Sequence, residues 1–184
     1  MVMKPEPVYK AIGKLNPNKE TRIILMCPTG ETLNQKKAKE LSECENIIVI
    51  CGHYEGVDER IVKNLVTDEI SIGDYVLTGG ELPAMVLIDC IARMIPGVVK
   101  EEESYIRDSF YEGLLDYPSY TRPEKFKDES VPDVLKSGHH EQINLWRRKE
   151  SLKRTFFKRP ELLAGAKLKT EDKKLITEII TGTI

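Results

Sequence analysis

Three short stretches of this chain have the composition of a small-molecule cradle: Pro28–Gly30, Gly52–Gly56 and Gly73–Gly80. Glycine lets a main chain come close to a ligand and present its N–H and C=O groups directly. The competing reading is that these glycines only make tight turns. Arg93 stands on an otherwise apolar helical stretch, where the pattern alone makes it the i,i+4 ion-pair partner of Asp89. His53 lies inside the second glycine stretch. His139 and His140 sit near a helix start, placed to cap it or to meet a partner sooner than to bind metal. Cys27, Cys44, Cys51 and Cys90 form no C-x-x-C pair, so they read as reduced, mostly buried thiols and support no zinc site.

The charges are unevenly spread. Between Glu101 and Asp116 six acids face one base, Arg107, whereas between Trp146 and Arg159 seven bases face one acid, Glu150. Asp108, one of those six acids, reads on pattern alone as a solvated linker charge. The basic stretch includes Trp146, Phe156 and Phe157. It is either a solvated helix face over a small core or a surface for phosphate contact and base stacking.

The elements that must position these residues alternate. Thr21–Cys27 and Asn46–Cys51 are apolar runs that read as buried strands, and Glu69–Ile72 as a shorter one. Helical spacing occupies 32–43, with Thr32 and Gln35 as a capping box, then Val57–Leu65 and the segment opened by Gly79-Gly80 with Pro83 in its first turn. Strands apolar on both faces and separated by helices predict a parallel sheet covered on both sides, with ligands bound at the carboxyl ends of the strands. The three glycine stretches fall at those ends. Residues 96–123 read as a long connection. A wholly helical region follows, with Leu145, Leu152 and Phe156 on one face, then a last helix capped by Thr170 that turns Leu175, Ile176, Ile179 and Ile180 to one side.

With 184 residues, 40% of them hydrophobic and 32% charged, the chain reads as a globular protein with no membrane association and no secretion signal, hence cytoplasmic. It lacks the G-x-x-x-x-G-K-[ST], G-x-G-x-x-G, G-x-S-x-G and H-E-x-x-H signatures, which removes most nucleotide hydrolases, dinucleotide enzymes, serine hydrolases and zincins.

Longer motifs are more specific. CGHYEGVDER (Cys51–Arg60), SIGDYVLTGGELPAM (Ser71–Met85), IPGVV (Ile95–Val99), DSFYEGLLDYPSYTRP (Asp108–Pro123) and SLKRTFFKRPELL (Ser151–Leu163) resemble, in order, the tRNA (guanine-N1)-methyltransferase family, TrmD. MVMKPEP at Met1–Pro7 resembles a further family segment, so the resemblance covers nearly the whole chain. It implies a SPOUT-type α/β fold: a parallel sheet with a deep C-terminal trefoil knot, followed by a small all-helical domain. The expected domains are 1–99 for the cofactor and catalysis, 100–122 as connection or lid, and 123–184 for tRNA. True knots are rare, and no hydrophobic pattern predicts one.

The implied activity is methylation by S-adenosylmethionine of N1 of the guanosine immediately 3′ of a tRNA anticodon, which supports reading-frame maintenance. The resemblance assigns the cofactor to Met26, Cys27, Pro28, Gly52, Tyr54, Glu55, Gly56, Ile72, Gly73, Asp74, Tyr75, Val76, Leu77, Gly79, Gly80 and Pro83. It makes Asp108 the base that removes the N1 proton and Arg93 the group that steadies charge on the guanine. It favours RNA contact by Arg122, Trp146, Arg147, Arg148, Lys153 and Arg154. It also implies a homodimer whose active sites combine cofactor loops of one subunit with Asp108 of the other, and a dependence on magnesium with no metal-ligand cluster visible. Family members carry a strand–helix–strand unit before the segment resembling MVMKPEP, which this chain is expected to lack. The alternatives are a SPOUT methyltransferase acting at another RNA site and a catalytically impaired RNA-binding fragment.

Overall fold

A computed structural model describes residues 1–99, 105 and 107–182. The chain divides into two compact units, Met1–Glu102 and Glu103–Ile184.

The first unit is α/β. Its elements run α1 (Pro5–Leu15), β1 (Arg22–Thr32), α2 (Gln35–Ser42), β2 (Ile47–Cys51), α3 (Glu59–Leu65), β3 (Asp68–Ser71) and α4 (Glu81–Ala92). The three strands are parallel in the order β2–β1–β3. The period-2 alternation of β1 divides the core between the two faces of the sheet. Ile24 and Met26 pack with Leu41 of α2 and with Ala84, Leu87 and Ile91 of α4. Ile23 and Leu25 pack with Val8 and Ile12 of α1 and with Ile61 of α3. A strand buried on both faces needs apolar residues at every position, which accounts for the unbroken run from Ile23 to Met26.

The amino end of the sheet is clamped by charge. Arg22 donates from Nε to Asp68 Oδ2 at 2.7 Å and from Nη2 to Oδ1, and Lys37 Nζ lies 3.3 Å from the same carboxylate. The Arg22 bonds hold the largely covered Asp68 carboxyl at a pKa of about 2.

Several boundaries differ from expectation. Pro28–Gly30 is not a turn that ends the first strand: β1 continues to Thr32, and Met26 and Glu31 both pair with Ile70, so residues 27–30 bulge out and return. Gly30 passes so close to the β3 main chain that a Cβ there would lie 2.3 Å from the Glu69 carbonyl carbon. Thr32 therefore remains in the strand, and the cap of α2 is Asn34, whose side chain accepts from Lys37 N–H at 2.9 Å.

The second unit contains a short hairpin, β4 (Lys125–Phe126) with β5 (Glu129–Ser130), and helices α5 (Asp133–Lys136), α6 (His140–Lys158), α7 (Glu161–Gly165) and α8 (Thr170–Thr181). The region read as wholly helical thus carries a small β element, turned at Lys127 with φ +54°. Its core joins Leu114, Leu152 and Ile179, with Phe156, Leu163, Leu175 and Ile176 packed around them. Leu145 and Ile180 are exposed instead, because that core lies against the C-terminal half of α6 and a narrow stripe of α8. Thr170 is the first residue of α8 and not its cap. The buried Asp172 carboxylate accepts the Lys169 N–H at 2.8 Å and does the capping.

Candidate cofactor cavity and catalytic residues

The bulge of β1 and the segments leaving β2 and β3 meet at one rim of the sheet and enclose a cavity of about 310 Å³. Every residue expected at the cofactor lines it except Asp74, which is exposed and outside the lining. Leu25, His53, Val57, Ile70, Ser71 and Thr78 join the wall although sequence reading did not assign them to it. For Ser71 and Thr78 the signal was their place flanking the glycines of the third stretch.

The rim is built from close main-chain approaches. Gly80 N–H donates to Gly52 O at 2.9 Å, and His53 pairs with Gly79 in an isolated bridge. A Cβ on Gly80 would lie 2.7 Å from Cys51 Cα, and one on Gly79 2.5 Å from Glu81 Oε2. At Gly80, against main chain, glycine is required by space and not only by turning, whereas at Gly79 the Glu81 and His53 side chains would have to move. His53 Nε2 and Glu81 Oε1 lie 2.7 Å apart and tie the second stretch to the start of α4. Ser71 Oγ accepts from Gly73 N–H at 3.2 Å and pins the third stretch as it leaves β3.

The wall offers apolar groups in Ile72, Leu77, Val76 and Pro83 and main-chain polar groups at the glycines. It suits a flat heterocycle with a polar edge. The Cys27 thiol in the wall and the neighbouring Cys51 thiol are poor nucleophiles, because burial pushes both above the usual thiol range, with Glu69 and Glu81 adding to the rise.

Arg93 and Asp108 stand elsewhere. Arg93 is exposed at the end of α4, where its N–H donates to Asp89 O at 3.3 Å. Asp108 is half-buried in the second unit. There it lines a cleft of about 560 Å³ with Arg107, Tyr117, Arg147, Arg148, Ser151 and Asp172 among others.

The basic residues of α6 are less free than their number suggests. Arg148 donates from Nε and Nη2 to Asp172 at 2.8 and 2.7 Å and from Nη1 to Glu112 at 3.3 Å. These bonds raise the pKa of Arg148 and lower that of Asp172. Arg154 reaches Asp116 at 3.4 Å, and Arg147 lies over Tyr117 at 4.9 Å from the ring centroid. Trp146 is half-buried against Tyr120, Lys153 is half-buried, and Arg122 is exposed before a cis Pro123. The four cysteines are free and half-buried. Among the described residues no cluster of three or more His, Cys, Asp or Glu could hold a metal ion, and no helix is long and apolar enough to cross a membrane.

Comparison with known proteins identifies the family. Residues 1–165 match the family model described as tRNA (Guanine-1)-methyltransferase TrmD. A tRNA (guanine-N(1)-)-methyltransferase of Staphylococcus carnosus is 58% identical over 176 residues, covering 96% of this chain and 72% of that protein. The enzyme of that name from Staphylococcus aureus strain JH9 is 56% identical over 182 residues, 99% of this chain and 74% of its own. One from Desulforamulus reducens is 54% identical over 182 residues, 97% and 72%. The chain belongs to the tRNA (guanine-1)-methyltransferase TrmD family.

Proposed function

We propose that this chain transfers a methyl group from S-adenosylmethionine to N1 of the guanosine immediately 3′ of a tRNA anticodon. The observation that carries this is a single cavity walled by the residues that the family resemblance assigns to the cofactor, in a chain matching the family over residues 1–165. The walls fit the group. Ile72, Leu77 and Pro83 supply faces for an adenine, and Gly79 and Gly80 line the wall with main-chain polar groups and no side chain. When bound, the cofactor supplies an electrophilic methyl on its sulfonium.

The chain's own residues do the rest. Asp108 accepts the proton of guanine N1, which is a poor nucleophile until that proton leaves. Arg93 steadies the charge that develops on the ring. The cavity walls would hold the cofactor and so orient its methyl for N1, which is mainly a matter of position.

The active site in this reading is shared, with the cofactor cavity of one subunit meeting Asp108 of its partner in a homodimer. The surface of α4 supports a partner: Leu82, Met85, Val86 and Ile88 are 59%, 64%, 43% and 55% exposed on a helix that is apolar nearly all round. A trefoil knot after β3 belongs to the same proposal. It is supported by the family match over residues 1–165. Dependence on magnesium, residence in the cytoplasm and tRNA contact by the second unit complete it.

The test is methylation of tRNA transcripts that differ only at the base 3′ of the anticodon, with and without magnesium. Asp108→Asn is expected to lower turnover about a hundredfold or more while cofactor affinity, read by calorimetry, stays unchanged. A variant that keeps most of its rate removes Asp108 as the base.

A further inference from the structure

Asp108 opens a loop whose shape is fixed at its far end by two buried hydroxyls. Phe110 N–H donates to Leu114 O at 2.7 Å, and Asp116 N–H donates to Ser109 Oγ at 3.0 Å, closing 109–116 on itself. Phe110 (φ +74°) and Gly113 (φ +84°) both lie in the left-handed region within it, so the loop needs outside support to hold one conformation. Leu114 is buried against Leu152 and Ile179.

The next residue, Leu115, is held at both of its main-chain polar groups. Its N–H donates to Thr155 Oγ1 at 2.9 Å, and its carbonyl accepts from Ser151 Oγ. Thr155 Oγ1 in turn donates to the Ser151 carbonyl at 2.7 Å, so its hydroxyl proton is committed and a lone pair faces Leu115. Thr155 is 0% exposed and Ser151 is 8% exposed. Buried hydroxyls on a helix need a partner. Here both spend themselves on one residue of the loop, four positions apart on a single face of α6.

We infer that Ser151 and Thr155 are positioning residues of the methyl transfer: by gripping the Leu115 main chain they set where Asp108 stands. This rests on the reading of Asp108 as the base. It separates two jobs on α6: the inward hydroxyls place the carboxylate, and the outward cations meet solvent or RNA.

The experiment is single-turnover methyl transfer with saturating cofactor and tRNA, beside separate binding measurements. Thr155→Val removes the acceptor at nearly constant volume and is expected to slow the chemical step on the order of a hundredfold with both affinities unchanged, since small displacements of a reacting group carry such penalties. Thr155→Ser keeps the hydroxyl and is expected to restore most of the rate. Ser151→Ala is expected to slow the step about tenfold, and it decides the matter if Thr155→Val does not fold. A folded Thr155→Val at the wild-type rate, or a Thr155→Ser as slow as the valine variant, overturns the inference while Asp108→Asn remains inactive. An active Asp108→Asn overturns the reading beneath it instead.

Discussion

The two units of this chain prepare for chemistry by opposite means. In the first, the site is made largely of main chain, with glycine stretches crowded at one rim, and the charged clamp of Arg22 and Lys37 on Asp68 sits at the other end of the sheet. In the second, side chains dominate, and the arginine with the best geometry, Arg148, is spent on Asp172 and Glu112. A glycine in a row of letters keeps its meaning, because only space and φ are at stake. An arginine does not, because its meaning depends on which acid has reached it first.

The strongest way to break the contrast is at Gly30. Replacement by alanine sets a carbon 2.3 Å from a main-chain atom of β3, which no rotamer relieves. A loss of about 3 kcal/mol or more is expected, visible as a lowered Tm or as insoluble protein. An alanine variant of wild-type stability means that the first unit does not depend on close main-chain approach.

Arg148→Ala comes next. It strands a buried carboxylate that also caps α8, and with Arg148 still 26% exposed the expected cost is about 2 kcal/mol, below that of a fully buried pair. Arg122→Ala and Lys153→Ala are expected to leave Tm unchanged and to lower the salt slope of tRNA binding by about one unit each. If Arg148→Ala instead leaves Tm untouched and lowers that slope, the cations of α6 are equivalent after all.

The smallest effect concerns pH. Asp68 is held at about 2 in the folded chain, against about 3.9 unfolded, so its contribution is fully present above pH 4 and drains away as pH falls through 2. Asp68→Asn is expected to lower Tm at neutral pH, with the gap to wild type closing between pH 4 and pH 2. A gap that stays constant over that range assigns the stability to packing.

These contrasts also govern what the sequence could reveal. The three parallel strands follow from apolar runs and were legible, as was the closure of β2 and β3 by glycine, whereas Pro28–Gly30 lies inside β1 and does not close it. The return of β1 after its bulge was not legible, because the pairing of Met26 and Glu31 with the same residue depends on β3, forty residues on. Leu145 and Ile180 fit the helical period of their neighbours yet face water, since periodicity names a face without saying how far along the helix its cover extends. Thr155 and Ser151 gave no signal. A hydroxyl in a basic helix looks like a surface residue until the residue that it holds, far back in the chain, is seen.

The detour of β1 has a consequence for variation. Because the strand leaves the ladder at Met26 and rejoins it at Glu31 opposite the same Ile70, this wall of the cavity is anchored at both ends. Its side chains at Cys27 and Pro28 can change only within what the cavity that they line accepts. Its length is fixed, since adding or deleting one residue would carry Gly30 away from the spot where only hydrogen fits, so natural variants should differ there by substitution and never by insertion.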